Sequence, residues 1–233
     1  MFSSYLTGLD TYKNKNNIPS ILKMIFKNRH EAGKQLAKKL SKFKNKKDVI
    51  VLGIPRGGVE VAFQVAKMLK APLSIVVTKK IGHPSEPEFA IGAVSPGHHI
   101  VDEEYKNKVG KDYIKKTVRE MNREIRRRYK EYTKGKMPKI GNKIAIIVDD
   151  GLATGYTMLV AIKYVKSKNP KKLIVSVPIA AQDSLEKVKA IADDVICLHV
   201  PIFFGAVGSF FQEFTQLEDE EVKSYLEEAK KYI

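Results

Sequence analysis

An unbroken apolar run, Ile144–Val148, constrains the fold of this 233-residue chain more than any other stretch. A strand with one face in water alternates apolar and polar residues, whereas such a run indicates a strand covered on both faces, as in a parallel sheet. The run is too short to form a helix by itself. It ends directly in two carboxylates, Asp149 and Asp150, so polar chemistry begins where the strand ends.

A loop of small and hydroxyl-bearing residues follows the two carboxylates and opens a helix. Helical spacing of apolar residues resumes at Met158, Leu159, Ile162 and Val165. Unpaired backbone N–H groups and the dipole at the start of a helix attract anions. Thr154 and Thr157 add hydroxyl donors, and Gly155 lets the backbone approach a ligand closely. The pattern favours a site for a phosphorylated sugar; the alternative is an acidic turn in which Gly and Thr serve only as turn and cap residues.

Strands and helices alternate along most of the chain. Short apolar runs predict strands at residues 49–52, 73–77, 144–148, 173–177 and 195–198. Helical spacing predicts helices near residues 32–40, 61–69, 155–168 and 183–192. This βαβ order predicts an α/β fold with a doubly wound, mostly parallel sheet, in which ligands bind at the carboxyl ends of the strands.

A second loop of the same kind follows the predicted strand 49–52. It reads Gly53-Ile54-Pro55-Arg56-Gly57-Gly58 and is followed directly by a helix. Gly57 and Gly58 can expose backbone N–H groups to an anion, and the planar guanidinium of Arg56 matches phosphate oxygens. The alternative for this loop is an ordinary turn.

Three other kinds of phosphate site are excluded. A P-loop needs a Gly-Lys-Ser/Thr ending, and neither glycine loop supplies the lysine. A dinucleotide fingerprint needs Gly-x-Gly-x-x-Gly, which residues 53–58 do not match. A response-regulator receiver has an acidic pair near the chain start and a later strand that ends in a phosphoacceptor aspartate, whereas the strand after this pair ends in Pro178-Ile179-Ala180.

The stretch 144–157 resembles the PRPP-binding motif of the type I phosphoribosyltransferases, in which an apolar strand, two acidic residues, two apolar or small positions and a Thr/Gly-rich loop follow one another. Gly151 departs from the motif, which more often has an apolar residue or Ser there. Residues 55–58 are similar to the pyrophosphate loop of these enzymes. Over about residues 24–222 the chain resembles a bacterial and archaeal group that adds a Lys-x-Gly-x-Pro-x-x-Pro-Glu segment, found here at residues 80–88.

The resemblance implies the type I phosphoribosyltransferase fold with a small C-terminal hood. It also implies Mg²⁺-assisted transfer of a 5-phosphoribosyl group from PRPP to a nitrogenous base or related nucleophile, with release of pyrophosphate. Asp149 and Asp150 would bind the ribose hydroxyls and, together with PRPP, hold Mg²⁺. The 5′-phosphate would lie on Ala153, Thr154, Gly155, Tyr156 and Thr157. The remaining PRPP contacts would come from Gly57, Gly58 and Lys79, and the catalytic residues would be Arg56, Lys80, Asp149 and Asp150.

Two further segments have roles implied by the resemblance. Residues 79–94, which include Gly82, Pro84 and Pro87, would form a loop that closes over the substrate as a lid. Residues 201–211 would form the hood, where Phe203 or Phe204 would stack on the acceptor base. The alternative for the phenylalanines is packing in the core.

The domain organisation follows from composition and periodicity. Residues 1–24 are polar and predict an N-terminal extension ahead of a phosphoribosyltransferase domain over 25–233. Within that domain, apolar positions step by three or four residues between 103 and 136, which predicts one long amphipathic helix in an insertion over about 103–138. Its apolar stripe would pack on the body of the protein or on a second subunit, and we expect a homodimer or higher homo-oligomer.

Most of the net charge of +16 lies in two segments. Residues 1–47 carry twelve Lys and Arg against two acids, and residues 105–143 carry fifteen against four. Such charge attracts polyanions, including RNA, but no aromatic-plus-glycine RNA-binding signature accompanies it. We therefore expect a solvated basic surface, without nucleic acid as a partner. The alternative function is a PRPP-sensing regulator or an RNA-binding protein that keeps the fold without turnover.

The cysteine count and the lengths of the apolar stretches predict the cellular compartment of the protein. Cys197 is the single cysteine, so no disulfide forms within the chain. No charge-free apolar stretch approaches the ~20 residues needed to cross a bilayer, and residues 1–10 do not read as a signal peptide. We expect a cytoplasmic protein with no membrane contact.

Overall fold

The computed structural model describes residues 26–233, so the predicted extension over residues 1–24 lies outside the described part of the chain. The strands are β1 (Val49–Gly53), β2 (Leu73–Ile75), β3 (Lys79–His83), β4 (Glu86–Ser95), β5 (His98–Val101), β6 (Ile144–Val148), β7 (Lys172–Ile179) and β8 (Asp194–His199). The helices are α1 (Arg29–Lys39), α2 (Gly57–Leu69), α3 (Glu103–Lys108), α4 (Lys111–Thr133), α5 (Tyr156–Lys166), α6 (Gln182–Lys189) and α7 (Asp219–Ala229).

A five-stranded parallel sheet in the order β2-β1-β6-β7-β8 forms the centre of the protein. Alternate residues of β6 face opposite helical layers. Ile146 and Val148 pack in the layer that contains α1 and α2, whereas Ala145 and Ile147 pack in the layer that contains α5 and α6. The apolar run is therefore covered on both faces, which confirms the doubly wound α/β fold predicted from it.

The register between β1 and β6 aligns the carboxyl ends of these two neighbouring strands. Gly53 is paired with Val148, the last residue of each strand. The loop before α2 and the loop before α5 therefore leave the sheet at the same height and side by side. The amide of Ile54 reinforces this by donating to the carbonyl of Val148 at 3.0 Å.

Residues 79–94, predicted from the sequence to form a loop, instead form an antiparallel hairpin, β3–β4, extended by β5. That this segment closes over the substrate stays a prediction. Gly82 allows the two strands to approach, since a Cβ there would lie 2.2 Å from the Pro87 carbonyl oxygen. The first residues of β4 are exposed and the later ones are buried. The hairpin base is thus anchored in the core, and its tip extends into solvent.

The predicted long helix is divided at Gly110, which has a φ of +80°, into α3 and α4. Gly tolerates this left-handed conformation, which ends the regular helix. The apolar stripe of α4 packs on the body of its own chain, where Ile125, Tyr129 and Tyr132 join a core cluster with the hairpin and α7. Within residues 26–233 no helix is both long and apolar enough to cross a bilayer.

The chain after β8 forms a small cap that returns to the start of the described residues. A short 3-10 helix, Val207–Phe210, leads to Phe211, which forms a parallel bridge with Phe26. The rings of Phe26 and Phe211 lie 5.4 Å apart and both are buried. Residues 201–211 of this segment are those for which the sequence predicts the hood, and they are called the hood from here on. Their recognition of a base stays a prediction.

Candidate functional site

The two glycine loops meet at the carboxyl edge of the sheet, directly over the acidic pair. A Cβ on Gly57 would lie 2.0 Å from Asp150 Oδ2, and a Cβ on Gly58 would lie 2.7 Å from Asp149 Oδ1. Both values are far below an ordinary contact, so any larger residue at either position would displace a carboxylate. The glycines of residues 55–58 are thus explained by close approach to Asp149 and Asp150, and the two predicted motifs form one site.

The acidic pair is partly buried at the end of β6. Burial raises the pKa of Asp149 well above its usual range, and the neighbouring carboxylate of Asp150 adds to this effect. Burial also raises the pKa of Asp150, whereas Arg29 lowers it. Two close and partly buried carboxylates favour ligands that bring hydroxyl donors or positive charge.

Arg29 contacts the acidic pair and was not identified from the sequence. Its Nε donates to Asp150 Oδ2 at 2.8 Å, and its Nη1 donates to the Thr215 carbonyl at 2.6 Å. Its guanidinium carbon lies 3.7 Å from the centre of the Phe214 ring, and the side chain is only 7% exposed. The sequence does contain one local indication of this contact. Arg29 lies in the first turn of α1, where the helix dipole disfavours a cation, so another interaction must stabilise it there.

The loop after the acidic pair begins α5 as predicted. Gly155 has a φ of +81°, which favours glycine, and α5 starts at Tyr156. The first amides of α5 have no partner within the helix and are available to an anion. Ala153 and Thr154 are exposed, and the Ala153 carbonyl accepts a hydrogen bond from the Ser184 hydroxyl.

The side chains of Tyr156 and Thr157 contribute differently to this loop. The Tyr156 hydroxyl donates to Asp102 Oδ2 at 2.5 Å, at the junction of β5 and α3. Tyr156 is therefore left to contribute its backbone N–H. Thr157, in the first turn of α5, is partly exposed.

Arg56 extends between the glycine loop and the start of α7. Its Nη1 lies 3.2 Å from Glu218 Oε2 and 3.7 Å from Asp219 Oδ1. Glu218 is 66% exposed, whereas Arg56 is 25% exposed. The guanidinium thus faces an accessible region in which it already pairs with carboxylates.

Lys79 and Lys80 are consecutive residues of β3 and therefore point to opposite sides of the hairpin. Lys80 is exposed, and its Nζ lies 2.6 Å from Glu88 Oε2. Burial lowers the pKa of Lys79, and the positive charges of Arg128 and, to a smaller extent, Arg56 act in the same direction. Of the two lysines, Lys79 is the one that is partly buried, on the face of the hairpin opposite Lys80.

The hood places one phenylalanine in solvent and one against its own core. Phe203 is 72% exposed, whereas Phe204 is partly buried with its ring 5.5 Å from that of Phe210. The hood also accounts for the glycine that departs from the PRPP motif. A Cβ on Gly151 would lie 2.5 Å from Val207 Cγ1, so the hood covers this position too closely for a larger residue.

Comparison with known proteins shows the family to which the chain belongs. The phosphoribosyl transferase domain family matches residues 22–211. The putative phosphoribosyl transferase Rv0571c of Mycobacterium tuberculosis is 39% identical over 210 residues, which make up 88% of this chain and 47% of that protein. TT1426 from Thermus thermophilus, a solved crystal structure, is 35% identical with a TM-score of 0.74, over 88% of this chain and 99% of that one.

A parallel sheet with an acidic pair and two glycine-containing loops at the carboxyl ends of its strands, together with these matches, defines a type I phosphoribosyltransferase fold. The chain belongs to the phosphoribosyl transferase domain family. It spans about half the length of the mycobacterial relatives that it matches. A shorter match of 59 residues, 25% of this chain and 28% of that protein, is 39% identical to the uracil phosphoribosyltransferase of Acinetobacter baylyi.

Proposed function

We propose that the protein is a Mg²⁺-dependent phosphoribosyltransferase that transfers the 5-phosphoribosyl group of PRPP to a nitrogen nucleophile and releases pyrophosphate. One observation carries the proposal. The acidic pair contacts Gly57 and Gly58 on one side and continues into the first turn of α5 on the other. A single edge of the sheet therefore offers acceptors for sugar hydroxyls between two loops suited to phosphate groups.

The sugar is held from two directions in this proposal. Asp149 and Asp150 accept hydrogen bonds from the ribose hydroxyls, which are charge-assisted and stronger than neutral ones. The backbone amides at the start of α5, with the hydroxyls of Thr154 and Thr157, bind the 5′-phosphate. Fixing both ends orients the reacting carbon toward the acceptor.

The leaving group is stabilised by the other loop. As the bond to pyrophosphate loosens, the sugar gains oxocarbenium character and negative charge collects on pyrophosphate, much as charge separates in glycoside hydrolysis. Arg56 and the amides of Gly57 and Gly58 neutralise that charge. We assign Lys79 to the same task in place of Lys80, because Lys80 pairs with Glu88 on the exposed side of the hairpin.

Asp149 and Asp150 fit a Mg²⁺ ion that arrives with PRPP. In such sites Mg²⁺ takes one or two carboxylates and completes its shell with phosphate oxygens and water. Residues 26–233 contain no group of three or more His, Cys, Asp or Glu side chains that would hold the ion without substrate. When bound, the ion would supply positive charge that neutralises the phosphate oxygens.

The acceptor is recognised by the hood. No charged side chain lies between residues 200 and 211, so this segment offers aromatic and backbone groups only. We propose that Phe203, which is exposed, stacks on a neutral nitrogenous base, while Phe204 supports the hood from within. Stacking tolerates many ring systems, so a panel of bases is the appropriate test.

The experiment that tests this function is pyrophosphate release from PRPP in the presence of purines, pyrimidines and other nitrogen heterocycles. We expect release that depends on both Mg²⁺ and one class of acceptor. The matched control is the Asp149→Asn/Asp150→Asn variant, which should release none. PRPP binding without release for any acceptor would contradict the enzyme and favour a regulator.

The second candidate is a polyanion-binding regulator, and the exposed face of α4 is the observation in its favour. Arg123 and Arg126 are exposed on it and have no ion-pair partner among residues 26–233. Arg127, by contrast, pairs with Glu124 and Glu131. RNA binding would show a log–log salt slope of about −0.7 per phosphate contact on single strands. We expect no specific RNA complex at physiological salt.

A further inference from the structure

Arg29 is a buried cation whose position is fixed by distant parts of the chain. It donates to Asp150 of the acidic pair and to the backbone at Thr215, and it stacks on Phe214. It also borders the glycine loop, since a Cβ on Gly57 would lie 2.8 Å from Arg29 Nε. Arg29 therefore joins the acidic pair, the glycine loop and the segment after the hood.

An ordinary structural role accounts poorly for this arrangement. The first turn of α1 is already capped by Asn28, whose side chain accepts from the Glu31 amide, so the helix does not need Arg29 for its start. Burying an ion pair carries a desolvation cost that an apolar pair would avoid. The contact partner, Asp150, is the residue to which we assign a ribose hydroxyl.

We propose that Arg29 is a positioning residue that holds the Asp150 carboxylate in the orientation required to bind PRPP, an inference that rests on the proposed function. Arg29 engages Oδ2 of Asp150, which leaves Oδ1 for the sugar. Phe214 and the Thr215 carbonyl hold the guanidinium from the other side, so it cannot turn away when the ligand enters.

The same contacts connect Asp150 to the hood. Phe214 lies against Gly208 of the 3-10 helix, where a Cβ would be 2.7 Å from Phe214 Cδ1, and its ring is 5.0 Å from that of Phe211. The hood, Phe214, Arg29 and Asp150 thus form an unbroken series of contacts. A change in Phe214 should therefore reach the acidic pair without touching it.

The test is PRPP affinity, measured by calorimetry with Mg²⁺, in variants of Arg29. Arg29→Met keeps much of the length but removes the charge and the hydrogen bonds, and we expect at least about a tenfold loss of affinity. Arg29→Lys should retain part of it. Arg29→Ala should regain affinity when methylguanidinium is added, a rescue that general destabilisation would not give. Arg119→Met, an exposed position on α4, is the matched control and should bind as the wild type does.

A folded Arg29→Met variant with wild-type affinity would overturn the inference. If that variant does not fold, Arg29→Lys and Phe214→Leu provide the test. Arg29→Lys keeps a cation beside Asp150, and Phe214→Leu keeps an apolar side chain beside Arg29. Unchanged PRPP affinity in both variants would also refute the inference. Wild-type protein that binds no PRPP would contradict the proposed function itself, whereas wild-type binding with unaffected variants contradicts only the role of Arg29.

Discussion

The close approach of the glycine loop to the acidic pair predicts a specific effect of Gly57→Ala. Without a steric conflict this change would stabilise the protein by about 0.4–1 kcal/mol, because Ala lowers the entropy of the unfolded chain and Gly57 has no positive φ. The structure predicts instead that Gly57→Ala destabilises the protein. The new Cβ would lie 2.0 Å from Asp150 Oδ2, so the carboxylate must move by about 1.4 Å to reach an ordinary contact of 3.4 Å.

That movement breaks the 2.8 Å hydrogen bond between Asp150 and Arg29. Overpacking of this kind lowers the free energy of unfolding by about 1–3 kcal/mol. Loss of a hydrogen bond to a charged group costs about 1.5–3 kcal/mol. Since about 1.4 kcal/mol corresponds to a tenfold change in affinity, PRPP binding should weaken by about 10- to 100-fold.

The assay is calorimetric titration of PRPP, paired with thermal unfolding of the free protein. Gly141→Ala is the matched control, because a Cβ there meets only the Lys168 carbonyl at 3.4 Å and the residue lies at the opposite edge of the sheet, before β6. The control should bind PRPP normally. A Gly57→Ala protein that is as stable as the control and binds PRPP with unchanged affinity would refute the contact between the two loops.

Three other predictions address the charged residues. Arg56→Ala should weaken binding of PRPP and pyrophosphate but leave ribose 5-phosphate binding nearly unchanged in competition assays; equal losses for all three ligands would place Arg56 elsewhere. Lys79→Ala should weaken pyrophosphate binding more than Lys80→Ala does, and the reverse order would restore the assignment made from sequence. Hydrogen bonds from neighbouring arginines lower the pKa of Glu124 from 4.5 to about 2, so its contribution to stability is present above pH 4.5 and is lost as the pH falls toward 2. The difference in melting temperature between wild type and Glu124→Gln should shrink over that range, and a constant difference would contradict it.

The central sheet and the two loops were predictable because their signals are local. An apolar run followed by acidic and small residues, as in Ile144–Val148 and the loop after it, indicates both the strand and the chemistry at its end. The hairpin at residues 79–94 was missed because Gly82, Pro84 and Pro87 are typical of loops. Gly82 in fact permits the close approach of β3 and β4. Such pairing depends on contacts that composition does not report.

Two of the remaining features depend on contacts between residues that are distant in sequence or on neighbouring strands, and the third depends on local backbone conformation. Arg29 and Asp150 are 121 positions apart, and no periodicity connects them. The choice between Lys79 and Lys80 depends on which face of β3 each one occupies, and that requires the register of the hairpin. The division of the predicted long helix at Gly110 depends on one backbone angle, which the regular spacing of apolar residues around it concealed.

The acidic pair is the centre of the proposed PRPP site, and replacing both carboxylates is the most direct test of that site. Asp149→Asn/Asp150→Asn removes both negative charges while keeping the side-chain shape, and each charge-assisted hydrogen bond contributes about 1.5–3 kcal/mol. Calorimetric titration of PRPP with Mg²⁺ into this variant should show an affinity at least about tenfold below that of the wild type. An unchanged PRPP affinity in the folded double variant would contradict the assignment of these residues to the sugar.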